Sequence, residues 1–166
     1  IPAAAAALLL FQAAPVDAFL YHATGKSAAR RILSGGVNPS KFSGKTRFGK
    51  GFYASRKPST ALAEKGESSS VLRMREGSQL KKNTWNFKNK VIRKLRSFFG
   101  AKKDLRGAVK NDVIGPKAAR QVGKAAGKEG KAVEYRSAKN GGSNLFIPGN
   151  LFERRPNIVS PEKIVR

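Results

Sequence analysis

The feature that most constrains this fold is an excess of positive charge, which has to be carried on a surface around an apolar interior. The 166 residues include 34 Lys and Arg but only 10 Asp and Glu, so the formal net charge is +24. Hydrophobic residues nevertheless make up 40% of the chain, too many for a disordered basic tail. The sequence therefore predicts one folded domain of ordinary size with a strongly cationic surface.

The charge is unevenly distributed along the chain. Residues 73–136 carry 19 basic and 5 acidic residues, more than half of the excess. Within them, residues 84–99 place apolar side chains at near-helical spacing with Lys and Arg between, which predicts one long basic helix. Clustered cations bind phosphates, so we expect RNA or DNA, a membrane surface or an acidic protein as partner. The candidate nucleic-acid-binding residues are Lys88, Lys90, Arg93, Lys94 and Arg96.

The residue types present exclude several kinds of site. The chain has no cysteine, which rules out disulfides, thiol nucleophiles and thiolate metal sites. It has a single histidine, His22, and few carboxylates, so we do not expect a multi-ligand metal centre.

The first fourteen residues are almost entirely apolar. They are fewer than the roughly 18–20 that a membrane-spanning helix needs, and they lack the basic start of a signal peptide. We expect no stable membrane span. We interpret residues 1–15 as a hydrophobic helix or linker to an upstream delivery polypeptide, and residues 16–166 as a single catalytic domain. Alternatively, the segment is shielded by a delivery protein or helps the domain to cross a membrane.

Hydrophobic periodicity and turn residues predict an α+β fold rather than repeated βαβ units. Residues 107–130 are rich in Lys, Ala and Gly, which favours a mobile or weakly helical connection. Besides the basic helix, we expect helices at 28–33 and 58–65. Strands are expected at 18–22, 51–54, 71–75, 131–137, 144–148, 157–159 and 163–165.

Three motifs follow one another over about 45 residues: LYHAT at 20–24, FGKGFY at 48–53 and ALAE at 61–64. In this order they resemble the ADP-ribosyltransferase superfamily, especially its poly(ADP-ribose) polymerase-like branch. The resemblance implies a split β-sheet core with peripheral helices, NAD as substrate and no metal. It also implies a set of NAD-binding residues: His22, Ala23, Thr24, Gly49, Gly51, Tyr53 and Asn144.

The resemblance gives these residues specific roles. His22 is expected to hydrogen-bond the adenosine-side ribose, and the backbone near Ala23 to hold the nicotinamide amide. Tyr53 is expected to stack on the nicotinamide ring, since an aromatic face attracts a flat cation. Gly49 and Gly51 are expected to let the backbone approach the ligand closely.

A later segment, residues 133–146, departs from the polymerase-like pattern. That branch usually has a catalytic glutamate where this chain has Asn144, which brings no charge to a developing sugar cation, so we do not expect polymer elongation. The segment is more similar to RES-type NAD-consuming domains, although these usually have an early arginine where this chain has His22. This second resemblance implies Tyr53, Glu64 and Ser137 as catalytic residues, with Glu134 as a weaker carboxylate candidate.

These features predict an NAD-dependent mono-ADP-ribosyltransferase that modifies an anionic macromolecule, foremost RNA. The basic domain also resembles the C-terminal toxin domains of bacterial polymorphic toxins of the Rhs or contact-dependent type. That likeness implies a secreted or delivered effector that acts in the target-cell cytoplasm, together with an acidic cognate immunity protein. Because the charge excess lies outside the NAD motifs, we expect a largely uncharged NAD cleft and a separate cationic helix.

Other functions fit parts of the sequence. A metal-independent ribonuclease could use His22 as acid or base, with Lys50, Arg47 or Arg136 stabilising the transition state. The domain could instead degrade NAD without a macromolecular acceptor. A non-enzymatic nucleic-acid-binding domain accounts for the charge but leaves the Tyr-His and Gly-Lys-Gly-Phe-Tyr motifs unexplained.

Overall fold

The computed structural model describes residues 19–166, so the apolar segment 1–15 lies outside the described residues. In the described part, strands and helices are mixed, which confirms the α+β class. The strands are β1 (Phe19–Thr24), β2 (Gly51–Ser55), β3 (Ser70–Glu76), β4 (Thr84–Asn86), β5 (Val109–Lys110), β6 (Val113–Ile114), β7 (Ala132–Arg136), β8 (Ser143–Pro148) and β9 (Val159–Ile164). The helices are α1 (Lys26–Gly35), α2 (Pro58–Lys65), α3 (Ser78–Lys82), α4 (Val91–Phe99), α5 (Pro116–Glu129) and α6 (Gly149–Arg154).

Seven strands form one mixed sheet in the order β4-β7-β8-β2-β1-β3-β9. Neighbouring strands are antiparallel except β4 and β7, which are parallel. β1 pairs with β3 over six residues, and β2 pairs with β8 over five. β1 and β2, in contrast, share a single register pair, Tyr21 with Ser55. The sheet therefore consists of two well-paired halves that meet at one pair of residues.

Because side chains alternate along a strand, each face of the sheet has its own apolar core. On one face, Leu20 and Phe52 belong to a cluster that includes Leu80 of α3 and Leu151 of α6, with Ile32 of α1 packed against it. On the other face, α4 and α5 pack on a second cluster, and α2 packs on β1 and β3 through a third. Both faces of the sheet are thus covered by helices.

The prediction of one long helix over residues 84–99 is wrong. Thr84–Asn86 is strand β4, whose Trp85 pairs with Val133 of β7, and the Phe87 N–H donates to the Glu134 carbonyl at 2.7 Å. Helix α4 begins only at Val91, after Lys90 adopts a left-handed conformation with φ of 55°. Trp85 and Phe87 are two residues apart, which is the period of a strand. The prediction wrongly included both positions in the helix.

The prediction of a mobile or weakly helical connection over residues 107–130 is also wrong. This region holds the β5–β6 hairpin and α5, a helix of 14 residues. The buried face of α5 is made of small residues, and Gly123 lies so close to the loop before β2 that a Cβ there would collide with the Phe48 carbonyl. Alanine and glycine, read from the sequence as signs of weak order, are what allow this close packing.

Residues 157–159 and 163–165 were expected as two short strands, but the chain forms one strand there, β9. It pairs with the outer side of β3, with an irregularity in register between Arg73 and Met74. Pro161 lies inside this strand, which is possible because β9 is at the sheet edge and its outer N–H groups need no partner.

None of the helices in residues 19–166 has the length and apolar character needed to cross a membrane.

The close approach of α5 predicts opposite effects for two glycines of the same helix. Gly123→Ala should lower the free energy of unfolding by about 1–3 kcal/mol, because the new methyl group overpacks against backbone. Gly127→Ala places its methyl group at ordinary contact distance, 3.8 Å from the Pro148 Cβ, and should raise stability by roughly 0.5–1 kcal/mol through helix propensity. Urea unfolding of both variants measures the difference. Equal midpoints would show that α5 does not pack this tightly.

Candidate active site

A cavity of about 800 Å³ lies where β1 and β2 diverge beyond their single shared pair. Residues 21–24 of β1 and 51–55 of β2 line it. On one sheet face it is bounded by α1 and the following loop, and from the other face by Glu64, Tyr135 and Asn144. The cavity therefore extends through the gap between the two halves of the sheet.

His22 spans this gap. Its Nδ1 lies 2.7 Å from the Tyr53 carbonyl oxygen, and since a carbonyl can only accept, Nδ1 carries the proton. The ring also lies on Phe52, with ring centroids 4.3 Å apart. Burial lowers the pKa of His22, an effect that the bond to Tyr53 opposes and the charge of Lys65 reinforces. The imidazole is therefore neutral at pH 7, and its Nε2 is a hydrogen-bond acceptor.

Tyr53 is fixed by the loop that precedes its own strand. Its hydroxyl accepts the Phe48 N–H at 2.9 Å and has two acceptors, Thr46 Oγ1 and the Gly49 carbonyl, at 2.9 and 3.0 Å. The ring packs against Phe146 with centroids 5.1 Å apart and lines the cavity. Burial raises the pKa of Tyr53 in spite of these bonds and of nearby arginines, so the phenol is neutral at physiological pH.

Glu64 meets two polar residues from a distant part of the sequence, Ser137 and Asn144, in one hydrogen-bonded network. Glu64 Oε1 accepts from the Ser137 hydroxyl and, at 2.8 Å, from Asn144 Nδ2. Asn144 Oδ1 in turn accepts from Ser55 Oγ at 2.6 Å. Both bonds to the carboxylate end on Oε1, and Oε2 has no hydrogen bond to the described residues. The network thus holds Glu64 at the cavity with one oxygen available to a ligand.

Of the three predicted residues in this network, only two reach the cavity wall. Glu64 and Asn144 line the cavity. Ser137 does not: it is 2% exposed and accepts the Lys139 N–H at 3.1 Å in the turn after β7. Ser137, expected as a catalytic residue, thus lies outside the cavity lining and donates its hydroxyl hydrogen bond to Glu64.

Two cavity-lining residues, Tyr135 and Arg47, were not predicted as part of the NAD site; Arg47 was named only for a ribonuclease. Tyr135 of β7 is 7% exposed and lines the cavity, and its hydroxyl makes no hydrogen bond with residues 19–166. Burial raises the pKa of Tyr135. The nearby Tyr53 and Glu64 raise this pKa further, whereas the charge of Arg47 lowers it. In the sequence, Tyr135 lies in an apolar strand, which predicts a core residue. Only the pairing of β7 with β8 places it beside Asn144.

The expectation of an uncharged cleft is wrong. Glu64 is the only carboxylate among the described lining residues, and four cationic side chains accompany it. Lys65 follows Glu64 on α2, and the others come from α1 and from the loop leading to β2. The cationic lining residues are Arg31, Lys41, Arg47 and Lys65.

The fold itself requires glycine at both glycine positions of the FGKGFY motif, and Gly51 also lines the cavity. A Cβ on Gly51 would collide with the Phe146 ring and approach the Ile147 carbonyl, so Gly51 is required by packing against β8. Gly49 does not line this cavity. Its φ of 97° turns the loop so that its carbonyl meets the Tyr53 hydroxyl.

Glu134 belongs to a different site. Arg56 Nε donates to it at 3.0 Å, while the rest of the Arg56 guanidinium binds Glu76 at 2.5 and 3.2 Å. Burial alone would lower the pKa of Arg56, but the two carboxylates hold it above its ordinary value. Glu134 does not line the cavity, so it is placed as a structural ion-pair partner.

Arg136 and Lys50, which were named as candidate residues of a ribonuclease, do not line the cavity either.

The cations predicted to bind nucleic acid lie on and before α4. Lys90, Arg93 and Arg96 are exposed, and Lys88 is half-buried. Lys94 is half-buried and donates to the Asn86 carbonyl in an exposed hydrogen bond. In residues 19–166, no group of three His, Asp or Glu side chains is placed to hold a metal ion.

The chain matches no protein-family model, and no curated protein is similar enough to be identified as a relative.

The environment of His22 predicts its titration. As the only histidine of the chain, it gives an unambiguous ring signal in NMR, and its pKa should lie below the ordinary 6.5. The unfolded chain takes up a proton near pH 6.5 and the folded chain does not, so the free energy of unfolding should fall as the pH drops from 7. His22→Gln should remove this part of the pH dependence. A pKa at or above 6.5 would contradict the placement.

Proposed function

We propose that this protein is an NAD-consuming mono-ADP-ribosyltransferase that modifies RNA. The observation that carries the proposal is the arrangement of His22, Tyr53 and Glu64 around one cavity at the division of the sheet. These residues come from β1, β2 and α2, and each is fixed by hydrogen bonds to other parts of the chain. The volume of about 800 Å³ lies within the range of cofactor sites.

The lining offers a separate contact for each part of NAD. Nε2 of His22 accepts from a ribose hydroxyl. The Tyr53 ring, already held by Phe146 and the loop before β2, gives the flat nicotinamide cation an aromatic surface. Arg31, Lys41, Arg47 and Lys65 surround the cavity with positive charge, which suits the two phosphates.

Glu64 then acts on the reacting sugar. In the transfer, the bond from ribose C1′ to the nicotinamide nitrogen breaks, and its electron pair neutralises the pyridinium ring. The positive charge that develops on the sugar is stabilised by the Glu64 carboxylate, which Ser137 and Asn144 hold in place. An oxygen or nitrogen of the acceptor bonds to C1′, and its proton passes to Glu64 or to water. Water as acceptor gives hydrolysis of NAD.

The cationic surface supports RNA as the acceptor. A net charge of +24 gives strong, salt-dependent attraction to a phosphate backbone. We further propose that the protein is a delivered bacterial toxin, because an acidic immunity protein would bind and neutralise a surface with a net charge of +24.

The direct test is incubation of the protein with NAD labelled in its adenylate part, together with total RNA or with cell protein. Label that stays on RNA through denaturing electrophoresis is the expected result. Free labelled ADP-ribose alone would identify an NAD-degrading enzyme. Cleavage of RNA in the absence of NAD would replace the proposal with a ribonuclease.

The role of Glu64 predicts a specific kinetic defect. Glu64→Gln keeps an acceptor for Ser137 and Asn144 but removes the charge, so turnover should fall about 100- to 1,000-fold with little change in NAD affinity. Glu67→Gln is the matched control, because Glu67 has an 80% exposed side chain and pairs only with Arg166 among the described residues. Equal turnover of the two variants would remove Glu64 from the reaction.

The Tyr135 hydroxyl, which makes no hydrogen bond with residues 19–166, gives a second prediction. Tyr135→Phe removes no hydrogen bond within the described residues, so its unfolding midpoint should stay close to that of the wild type. If the hydroxyl contacts NAD, the same variant should raise the NAD KM or lower turnover by about tenfold. Urea unfolding and steady-state kinetics measure the two effects. A loss of stability with unchanged kinetics would make Tyr135 a core residue only.

A further inference from the structure

A second cavity, of about 540 Å³, lies on the opposite side of the loop that holds Tyr53. Phe48 and Gly49, which bind the Tyr53 hydroxyl through their backbone, line this second cavity. Its other side is the N-terminal part of α6 and the small-residue face of α5. One short loop thus separates the two cavities.

The second cavity is cationic. Lys50, Arg120 and Lys124 line it, against one carboxylate, the exposed Glu153. The two residues from α5 belong to a longer row at spacings of three and four, which places them along one side of the helix. None of the row makes a salt bridge with residues 19–166. The row consists of Lys117, Arg120, Lys124 and Lys128, all exposed.

Asn150 adds an unsatisfied acceptor to this cavity. Its Nδ2 donates to the Gly127 carbonyl at 2.6 Å, which fixes the orientation of the amide, because the reversed amide would set two acceptors against each other. The other atom, Oδ1, is buried and has no hydrogen-bond partner among the residues that the structure describes. A buried acceptor of this kind is costly unless a ligand or water donates to it.

These groups together favour a nucleotide. Phosphates satisfy Lys50, Arg120 and Lys124, and a ribose hydroxyl or base N–H can donate to Asn150 Oδ1. An acidic peptide could also satisfy the cations and, through a backbone N–H, the amide oxygen. RNA is favoured because the exposed cations continue along α5 beyond the cavity, which matches a continuous phosphate backbone. The apolar wall at Pro148 suits the flat face of a base or sugar.

We propose that the second cavity binds one nucleotide of the acceptor RNA and that the cationic row of α5 binds the adjoining backbone phosphates. This inference rests on the proposed function only in naming the bound RNA as the substrate. It places the acceptor beside the loop that orients Tyr53, next to the candidate NAD cavity. It also moves the RNA-binding surface from α4, where the sequence placed it, to α5.

The test is binding of a short fluorescein-labelled single-stranded RNA by anisotropy, without NAD, over a series of salt concentrations. A variant with Lys50→Gln, Arg120→Gln and Lys124→Gln should bind roughly tenfold or more weakly, and its salt slope should fall by about two to three. The charge-matched control is Lys26→Gln, Lys81→Gln and Lys82→Gln, exposed residues of α1 and α3 on the other sheet face. This control should lose much less affinity.

Two further arms identify the ligand and the surface. Asn150→Leu should weaken RNA binding without changing the salt slope, because it removes an uncharged contact. Circular dichroism checks that it folds, and Asn150→Asp, which introduces a repelling charge at the same place, should weaken RNA binding more. A poly-glutamate peptide of similar charge should bind more weakly than the RNA.

The outcomes separate this inference from the proposed function. It is overturned if the cavity variant binds RNA as well as the control does, or if neutralising Lys90, Arg93 and Arg96 of the α4 region has the larger effect. Poly-glutamate binding that matches RNA binding would instead identify an acidic protein as the ligand. Loss of RNA labelling in the cavity variant with unchanged NAD hydrolysis supports an acceptor site. Absence of any NAD turnover in the wild type refutes the proposed function and leaves the RNA-binding result standing.

Discussion

The arrangement of the molecule depends on the place where β1 and β2 stop pairing. A continuous seven-stranded sheet would satisfy its backbone by strand-to-strand bonds and leave no room between strands. Here one pair, Tyr21 with Ser55, joins the halves, and beyond it the His22 side chain reaches across to the Tyr53 carbonyl. An imidazole thus replaces part of a strand ladder, and the space that the ladder would fill becomes the cavity. The same hydrogen bond fixes the tautomer of His22. One contact therefore both links the two halves of the sheet and sets which ring nitrogen carries the proton.

The polar network at Glu64 shows how the two halves of the sheet contribute to one site. Glu64 is carried by α2, which packs on β1 and β3, whereas Asn144 lies on β8 in the other half. Buried polar groups are stabilising only when they are fully paired, and the partners of Ser55, Asn144 and Ser137 are supplied within the network. Oε2 of Glu64 and the Tyr135 hydroxyl stand outside it. Glu64 is exposed, so its Oε2 oxygen costs no stability and stays accessible to a ligand.

The positive charge is arranged around concave surfaces as well as on helix faces. Four cations line the candidate NAD cavity, and three line the second cavity across the loop from it. Each cavity has a single carboxylate among its described lining residues, Glu64 in the first and Glu153 in the second. An anionic ligand would balance the excess of cations, which is why both cavities suit phosphates. The sequence charge count alone could not distinguish such cavities from a solvated surface.

The sequence by itself determined the α+β class, the position of α2 at 58–65, the strands around Tyr53 and Asn144, and the cationic character. These follow from local periodicity, turn residues and composition, which act over a few neighbouring positions. The tertiary structure decided that 84–86 is a strand and that 107–130 contains α5, because partners far away in sequence, β7 and Phe48, stabilise them. It also decided that Ser137 orients Glu64, that Tyr135 faces the cavity and that Glu134 pairs with Arg56. Such placements depend on sheet order and on which strand face each residue occupies, and these are set only when residues distant in sequence pair.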